Sequence, residues 1–220
     1  MVQPGSSNRP AQYYDFQSLS RWTAGVIRRI CPLSSAKGGE MSSNTALAIS
    51  VGVLGAIATW LFLGPLGGAL AIWAAFIAWG CFFHCGGKEH GLQSAILANA
   101  AGAIVGGITL YAALRTGMGD KIGLPVWAAI CVGIGVAAMV LLANIPLFAS
   151  IPAQVYGFAA TVAMTLMATD GAANLTAGSI ANPVAEVILS MIIGAVFGYV
   201  SEKFAGMLAG MGSHAHHVKA

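Results

Sequence analysis

From Thr45 onward, long apolar runs alternate with short breaks rich in Gly, Pro, Asn and charge. A helix that crosses a bilayer needs about 20 apolar residues, with a range of roughly 17–25. Six runs fit that requirement: Thr45–Leu63, Ala69–Cys85, Leu92–Leu114, Pro125–Ala143, Phe148–Met167 and Pro183–Val200. The breaks carry ordinary start and stop signals. Ser42, Ser43 or Asn44 can cap the first run, and Gly64-Pro65-Leu66-Gly67-Gly68 ends it. Pro125 suits a first-turn position, Asn144-Ile145-Pro146 closes the fourth run, and Asn182-Pro183 opens the sixth. The pattern predicts an all-α polytopic membrane protein with six transmembrane helices.

The runs also resemble one another in order. Ala48-Ile49-Ser50-Val51-Gly52 in the first is similar to Ala129-Ile130-Cys131-Val132-Gly133 in the fourth, and the same offset carries Pro65 onto Pro146. Ile104-Val105-Gly106-Gly107 with Tyr111 in the third is similar to Ile192-Ile193-Gly194-Ala195 with Tyr199 in the sixth. Three runs per half is an odd number, so the second half must lie upside down relative to the first. The expectation is an inverted 3+3 repeat, a plan used by transporters whose sites lie between the halves; a duplicated scaffold without a path is the plainer alternative.

Composition agrees with a lipid environment. Hydrophobic residues make up 57% of the 220 and charged residues 8%, against about 25% charged in soluble domains. Mean hydropathy is +0.79. So few charges cannot cover a globular surface in water, whereas lipid removes that requirement. The net charge of +3 comes from sparse basic residues outside the apolar runs, so nucleic acid is not an expected partner. With six spans, Arg9, Arg21, Arg28, Arg29, Lys37, Lys88, Lys203 and Lys219 share one side and Arg115 and Lys121 the other. That asymmetry predicts both termini in the cytoplasm, though without the first 40 residues it falls to three against two.

Three regions follow: residues 1–40 as an N-terminal tail, 41–208 as the six-helix membrane domain, and 209–220 as a His-containing tail. The first region is compatible with a disordered tail, a short interfacial helix at Trp22–Ile30, or an extension ahead of a native start at Met41.

Candidate chemistry is thin. On the second run, Trp73, Phe76, Trp79 and Phe83 share a broad helical face; such a face either lines a narrow solute path or packs against lipid and neighbouring helices. Asn99, Gln154, Tyr156 and Thr161 lie inside their runs with no obvious need to be polar. They are the best candidates for a polar path, although interhelical hydrogen bonding explains them equally well. Gly102 and Gly106, then Ser190, Gly194 and Gly198, repeat small residues at four-residue spacing and mark close-packing faces toward each other or another subunit. Cys81, His84 and Cys85 precede Gly86-Gly87. No second cluster completes a tetrahedral zinc set, so the segment reads as helix termination with Gly86 in a left-handed C-cap. Neither a resident metal nor a cofactor is expected. Glu186 fits the first turn of the sixth helix, where the macrodipole favours an acid. His214, His216 and His217 read as a solvated tail. No nucleotide-binding glycine loop, Ser-His-Asp set or carboxylate pair appears, so an enzyme is not expected.

The Gly64–Gly68 turn, the helix with Trp73 and Phe76, Cys85-Gly86-Gly87 with Gly91-Leu92, Ile151-Pro152 with Tyr156-Gly157, and the Pro183 helix with Gly194 and Phe197-Gly198-Tyr199 together resemble the YcdZ-like family of small bacterial inner-membrane proteins. The resemblance covers Thr45–Leu208 and implies a multi-pass protein of the bacterial inner membrane; it supplies no substrate or catalytic residues. The resulting expectation is a small neutral-solute transporter or channel in contact with the lipid bilayer, with a homo-oligomer compatible. The alternative is an accessory or structural membrane protein that binds a partner through its Gly-rich helix faces.

Overall fold

Ser42 Oγ accepts the Thr45 N–H at 3.2 Å and so begins the first helix, as a Ser N-cap should. The computed structural model describes residues 42–214, with side chains as far as Gly210, all within the unit formed by residues 40–220. The readings placed on residues 1–40 and on His216 and His217 lie outside the described residues.

Among the described residues the chain is all-helical. Its helices are α1 (Ser43–Leu63), α2 (Ile72–His84), α3 (Lys88–Arg115), the short α4 (Met118–Ile122), α5 (Leu124–Leu142), α6 (Ile151–Met167), the single turn α7 (Gly171–Asn174) and α8 (Pro183–His214), with a 3₁₀ turn at Pro146–Phe148 before α6. Four of them are long and apolar enough to cross a membrane: α1, α3, α5 and α8. The runs expected at Ala69–Cys85 and Phe148–Met167 form shorter apolar helices of 13 and 17 residues. Backbone geometry explains the shortening. Gly68 takes φ +80°, so α2 starts only after the Gly-Pro-Gly segment, and Pro146 diverts the chain into a 3₁₀ turn before Pro152 can start α6.

Other boundaries lie beyond those the sequence predicts. α3 begins four residues before Leu92 because the Glu202 carboxylate accepts the Lys88 N–H at 2.8 Å, satisfying a free donor of its first turn. α8 continues past Val200 to His214, since no proline interrupts it. Asn182 caps its start, accepting the Val184 N–H at 2.9 Å while its amide donates to the Leu175 and Ala177 carbonyls. The end of α2 forms as its Gly-Gly pair requires. Gly87 N–H reaches the Phe82 carbonyl, Gly86 N–H reaches that of Phe83, and Gly86 holds φ +91°. This is the Schellman pattern with glycine at the left-handed position.

Packing is centred on four helices. α3 lies along α6 and α2 along α8, α3 and α8 cross each other, and the outer helices α1 and α5 lean on α8 and α3 respectively. Polarity is turned inside out compared with a protein in water. Ser50, Asn99, Thr109, Gln154, Thr161, Thr165, Ser190 and Ser201 are buried, whereas Trp60, Ile108, Ile134 and Leu141 are each more than 60% exposed. Contiguous exposed apolar surface of that kind marks an interaction with lipid or protein, as in a membrane-embedded chain.

Helices here meet backbone to backbone. A Cβ on Gly102 would strike the Gln154 carbonyl, one on Gly157 that of Asn99, and one on Gly194 that of Ala75. Gly102 and Gly106 therefore face α6, and Gly194 and Gly198 face α2, all within one chain. Ser190 belongs to the second set, its Oγ accepting the Ala71 N–H at 2.9 Å. These faces are thus covered by helices of the same chain; α3 and α8 meet instead at Gly107 and Val184.

Gly102→Ala and Gly194→Ala should each destabilise by about 1–3 kcal/mol, the usual cost of overpacking. Gly52→Ala and Gly133→Ala, where a Cβ meets nothing within 4 Å, should be neutral or stabilising, because alanine has the better helix propensity. Thermal unfolding in detergent micelles checks both; equal behaviour of the two pairs would contradict the assigned contacts.

Candidate functional site

A line of polar groups runs along α6 on the side that faces α3. Ser150, Gln154, Thr161 and Thr165 follow at spacings of four, seven and four residues, which stacks them on one helical face. Gln154, Thr161 and Thr165 are at most 2% exposed. Across from them on α3 lies Asn99, 1% exposed, between the crossing points made by Gly102 and Gly157. Asn99, Gln154 and Thr161, picked out by the sequence, therefore come together at one helix–helix seam. Ser150 and Thr165 complete it and were missed; their helical spacing from Gln154 and Thr161 was the available signal.

Much of this polarity is unsatisfied. Gln154 donates to the Phe148 carbonyl at 2.7 Å and Thr165 to that of Thr161 at 2.8 Å. In contrast, both amide atoms of Asn99, the Gln154 Oε1 and the Thr161 Oγ1 have no hydrogen-bond partner. Buried polar atoms are usually paired, because each unpaired one costs about 1–3 kcal/mol. Four such atoms on one seam call for a ligand, water or a second conformation.

The aromatic residues of α2 separate into two groups. Phe76 stacks on Trp79 at 5.7 Å with the planes 10° apart, and Trp79 packs on Phe197 at 5.6 Å. Trp79 also donates its indole N–H to Ser201 Oγ at 3.0 Å, while Phe76 stays 43% exposed. This group fastens α2 to α8 and lies away from the seam. Trp73 and Phe83 turn the other way. Trp73 packs with Tyr156 against the alanine-lined centre formed by Ala74, Ala103 and Ala160, and Phe83 packs beside Cys85 and Ile96. Tyr156 meets His84 edge to face at 6.0 Å. Of the aromatic candidates, Trp73, Phe83 and Tyr156 thus neighbour the seam, and Phe76 and Trp79 do not.

At the Gly87 end of the bundle Glu89 Oε1 accepts from Tyr199 Oη at 2.8 Å and from Lys203 Nζ at 3.1 Å. The pair is exposed, so its direct energetic contribution is small; its effect is to fix where α3 enters beside α8. Glu186 sits half-buried in the first turn of α8. Among the described residues no three His, Cys, Asp or Glu side chains converge as a metal set. The larger grooves lie on the outer surface. One of about 370 Å³ runs between α1 and α8, bordered by Val53, Leu54, Ile57 and Val200. Another of about 320 Å³ runs between α3 and α5, bordered by Ala112, Ile134, Gly135 and Ala138. Their walls are almost wholly apolar. The seam itself is closed where the α3 and α6 backbones touch.

A family profile described as "Protein of unknown function (DUF1097)" matches residues 48–206, which takes in α2 to α7 entire, most of α1 and α8, and the whole seam. The chain belongs to the DUF1097 family. No curated protein and no solved structure matches it. The polar seam of this DUF1097 protein therefore has to be interpreted from its own geometry.

That geometry has a measurable consequence for Asn99. Asn99→Leu removes two unpaired buried polar atoms at nearly constant volume, so the variant should be more stable than the wild type by about 1–3 kcal/mol. Thermal unfolding in micelles checks this, and a loss of stability would mean that Asn99 is a structural hydrogen-bonding residue.

Proposed function

We propose that this protein carries a small neutral solute across the bacterial inner membrane, using the α3–α6 seam as its path. The unpaired atoms of Asn99, Gln154 and Thr161 are the observation that carries the reading. They offer both donors and acceptors to a passing molecule. No charged side chain joins them, which disfavours an ion, because moving a bare charge through such a site is costly.

In this reading all six apolar helices cross the membrane as an inverted 3+3 repeat with both termini cytoplasmic. The packing supports it. Exchanging α1 with α5, α2 with α6 and α3 with α8 turns the α3–α6 and α5–α3 contacts into the α8–α2 and α1–α8 contacts, each pair of comparable extent. The two apolar grooves also exchange: Val53, Leu54, Ile57 and Val200 correspond to Ile134, Gly135, Ala138 and Ala112. The short helices α2 and α6 occupy corresponding places and each follows a Pro-containing break. At about 1.5 Å per residue they are shorter than the roughly 30 Å hydrocarbon core. Paired short or broken helices are the best pointer to a transport site in such folds. The inner-membrane location rests on the likeness to YcdZ-like proteins.

Passage requires α3 and α6 to separate at Gly102 and Gly157, where their backbones touch. Movement of one three-helix half against the other would open each end of the seam in turn. The accessory-protein reading is less well supported, since the glycine faces it needs are occupied within the chain.

Proteoliposomes holding the full chain should swell faster than empty vesicles in stopped-flow measurements with at least one of urea, glycerol, acetamide and short amino alcohols. Thr161→Val should reduce that rate at least threefold while the protein still inserts. Permeability equal to empty vesicles for every solute would sink the proposal.

A further inference from the structure

At the Ser150 end of the seam stands a pair of thiols that solute passage does not use. Cys81 Sγ and Cys85 Sγ, one turn apart on α2, lie 3.9 Å from each other. Cys85 Sγ is 3.5 Å from Ser150 Oγ, the N-cap residue of α6. Cys81 is 1% exposed and Cys85 half-buried at the edge of the bundle, so the group is shielded on one side and accessible on the other.

We propose that Cys81 and Cys85 bind one soft, thiophilic monovalent metal ion, Cu(I) in class. The sulfur separation carries the geometry. With metal–sulfur bonds of about 2.3 Å, a 3.9 Å separation corresponds to an S–metal–S angle of about 115°, near trigonal. That angle leaves the third position, in the plane of the two sulfurs, to a neutral ligand from outside the chain. Tetrahedral zinc is disfavoured because it needs four ligands and no third His, Cys, Asp or Glu converges here among the described residues. Soft thiolate ligands favour Cu(I). A disulfide is disfavoured as well. Side chains four apart on a helix keep their Cβ atoms about 5–6 Å apart, while a disulfide needs about 3.5–4.5 Å, so the last turn of α2 would have to unwind.

Binding replaces protons on sulfur. Each thiol that ligates releases one proton to solvent, the metal keeps its oxidation state, and the filled site carries one net negative charge. Ser150 Oγ–H stands on the Cys85 side and can donate to that charge. His84 and His90 are the other titratable groups near Cys85, and Tyr156 packs against His84.

The proposal does not depend on transport, and its test uses binding alone. The full chain, reduced and purified in detergent, is titrated against the Cu(I)–bicinchoninate complex, whose colour is lost when the protein removes the metal. One Cu(I) per chain should be withdrawn. Cys81→Ser and Cys85→Ser should each weaken binding at least tenfold. The double variant Cys31→Ser, Cys131→Ser should bind as the wild type does. Circular dichroism and gel filtration establish that each variant keeps its helices and size. Should a serine variant lose its fold, protection of Cys81 and Cys85 by Cu(I) from alkylation in the wild type, read by peptide mass, replaces it; unprotected thiols would overturn the proposal. No withdrawal by the wild type, withdrawal unchanged in a folded Cys81→Ser, or Zn(II) held more tightly than Cu(I) would each overturn it too.

Discussion

Backbone-to-backbone packing at glycine is the constraint on which the rest of this structure depends. Lipid surrounds the helices with material as apolar as their own side chains, so burying leucine against leucine gives little net drive for association. Close approach supplies it instead, through van der Waals contact that only a residue without a Cβ permits. Gly102 and Gly157 bring α3 against α6, and Gly194 brings α8 against α2. The alanines at the centre, Ala74, Ala78, Ala103 and Ala160, continue the same logic. Large aromatic side chains are placed where helices diverge, as with Trp79 and Phe197 between α2 and α8.

These contacts also determine what happens to polarity. At the α2–α8 crossing the buried hydroxyls are paired: Ser190 donates to the Glu186 carbonyl and receives Ala71 N–H, and Ser201 receives the Trp79 indole. At the α3–α6 crossing, amides and hydroxyls are left open. Two similar packing arrangements thus carry different chemistry, one fastening the bundle and the other providing unused hydrogen-bonding capacity.

Both ends of the seam are built by chain breaks. At one end the Gly86-Gly87 turn stops α2 just after Cys85 and returns the chain into α3, whose first N–H groups are met by Glu202 of α8. The same turn presents the Cys85 thiol to Ser150 at the start of α6. At the other end Gly171 packs on the Thr165 carbonyl, and Asn182 anchors the loop that leads into α8.

The sequence by itself determined that the chain is helical, where its apolar segments lie, and which residues are anomalous within them. Length, helix breaks and missing charge are local properties, and they placed Asn99, Gln154 and Thr161 as polar residues in apolar helices, with Gly86 as a cap. Only the tertiary structure decided which faces meet. Helical periodicity put Trp73, Phe76, Trp79 and Phe83 on one broad face, but α2 lies between α8 and the α3–α6 pair, so neighbours on both sides divide that face. The small-residue repeats announced close packing without naming the partner, because a glycine face is complementary to almost any backbone. Ser150, 65 residues from Cys85, reaches its thiol only because α6 starts where α2 ends, a juxtaposition set by three-dimensional packing and absent from any local pattern.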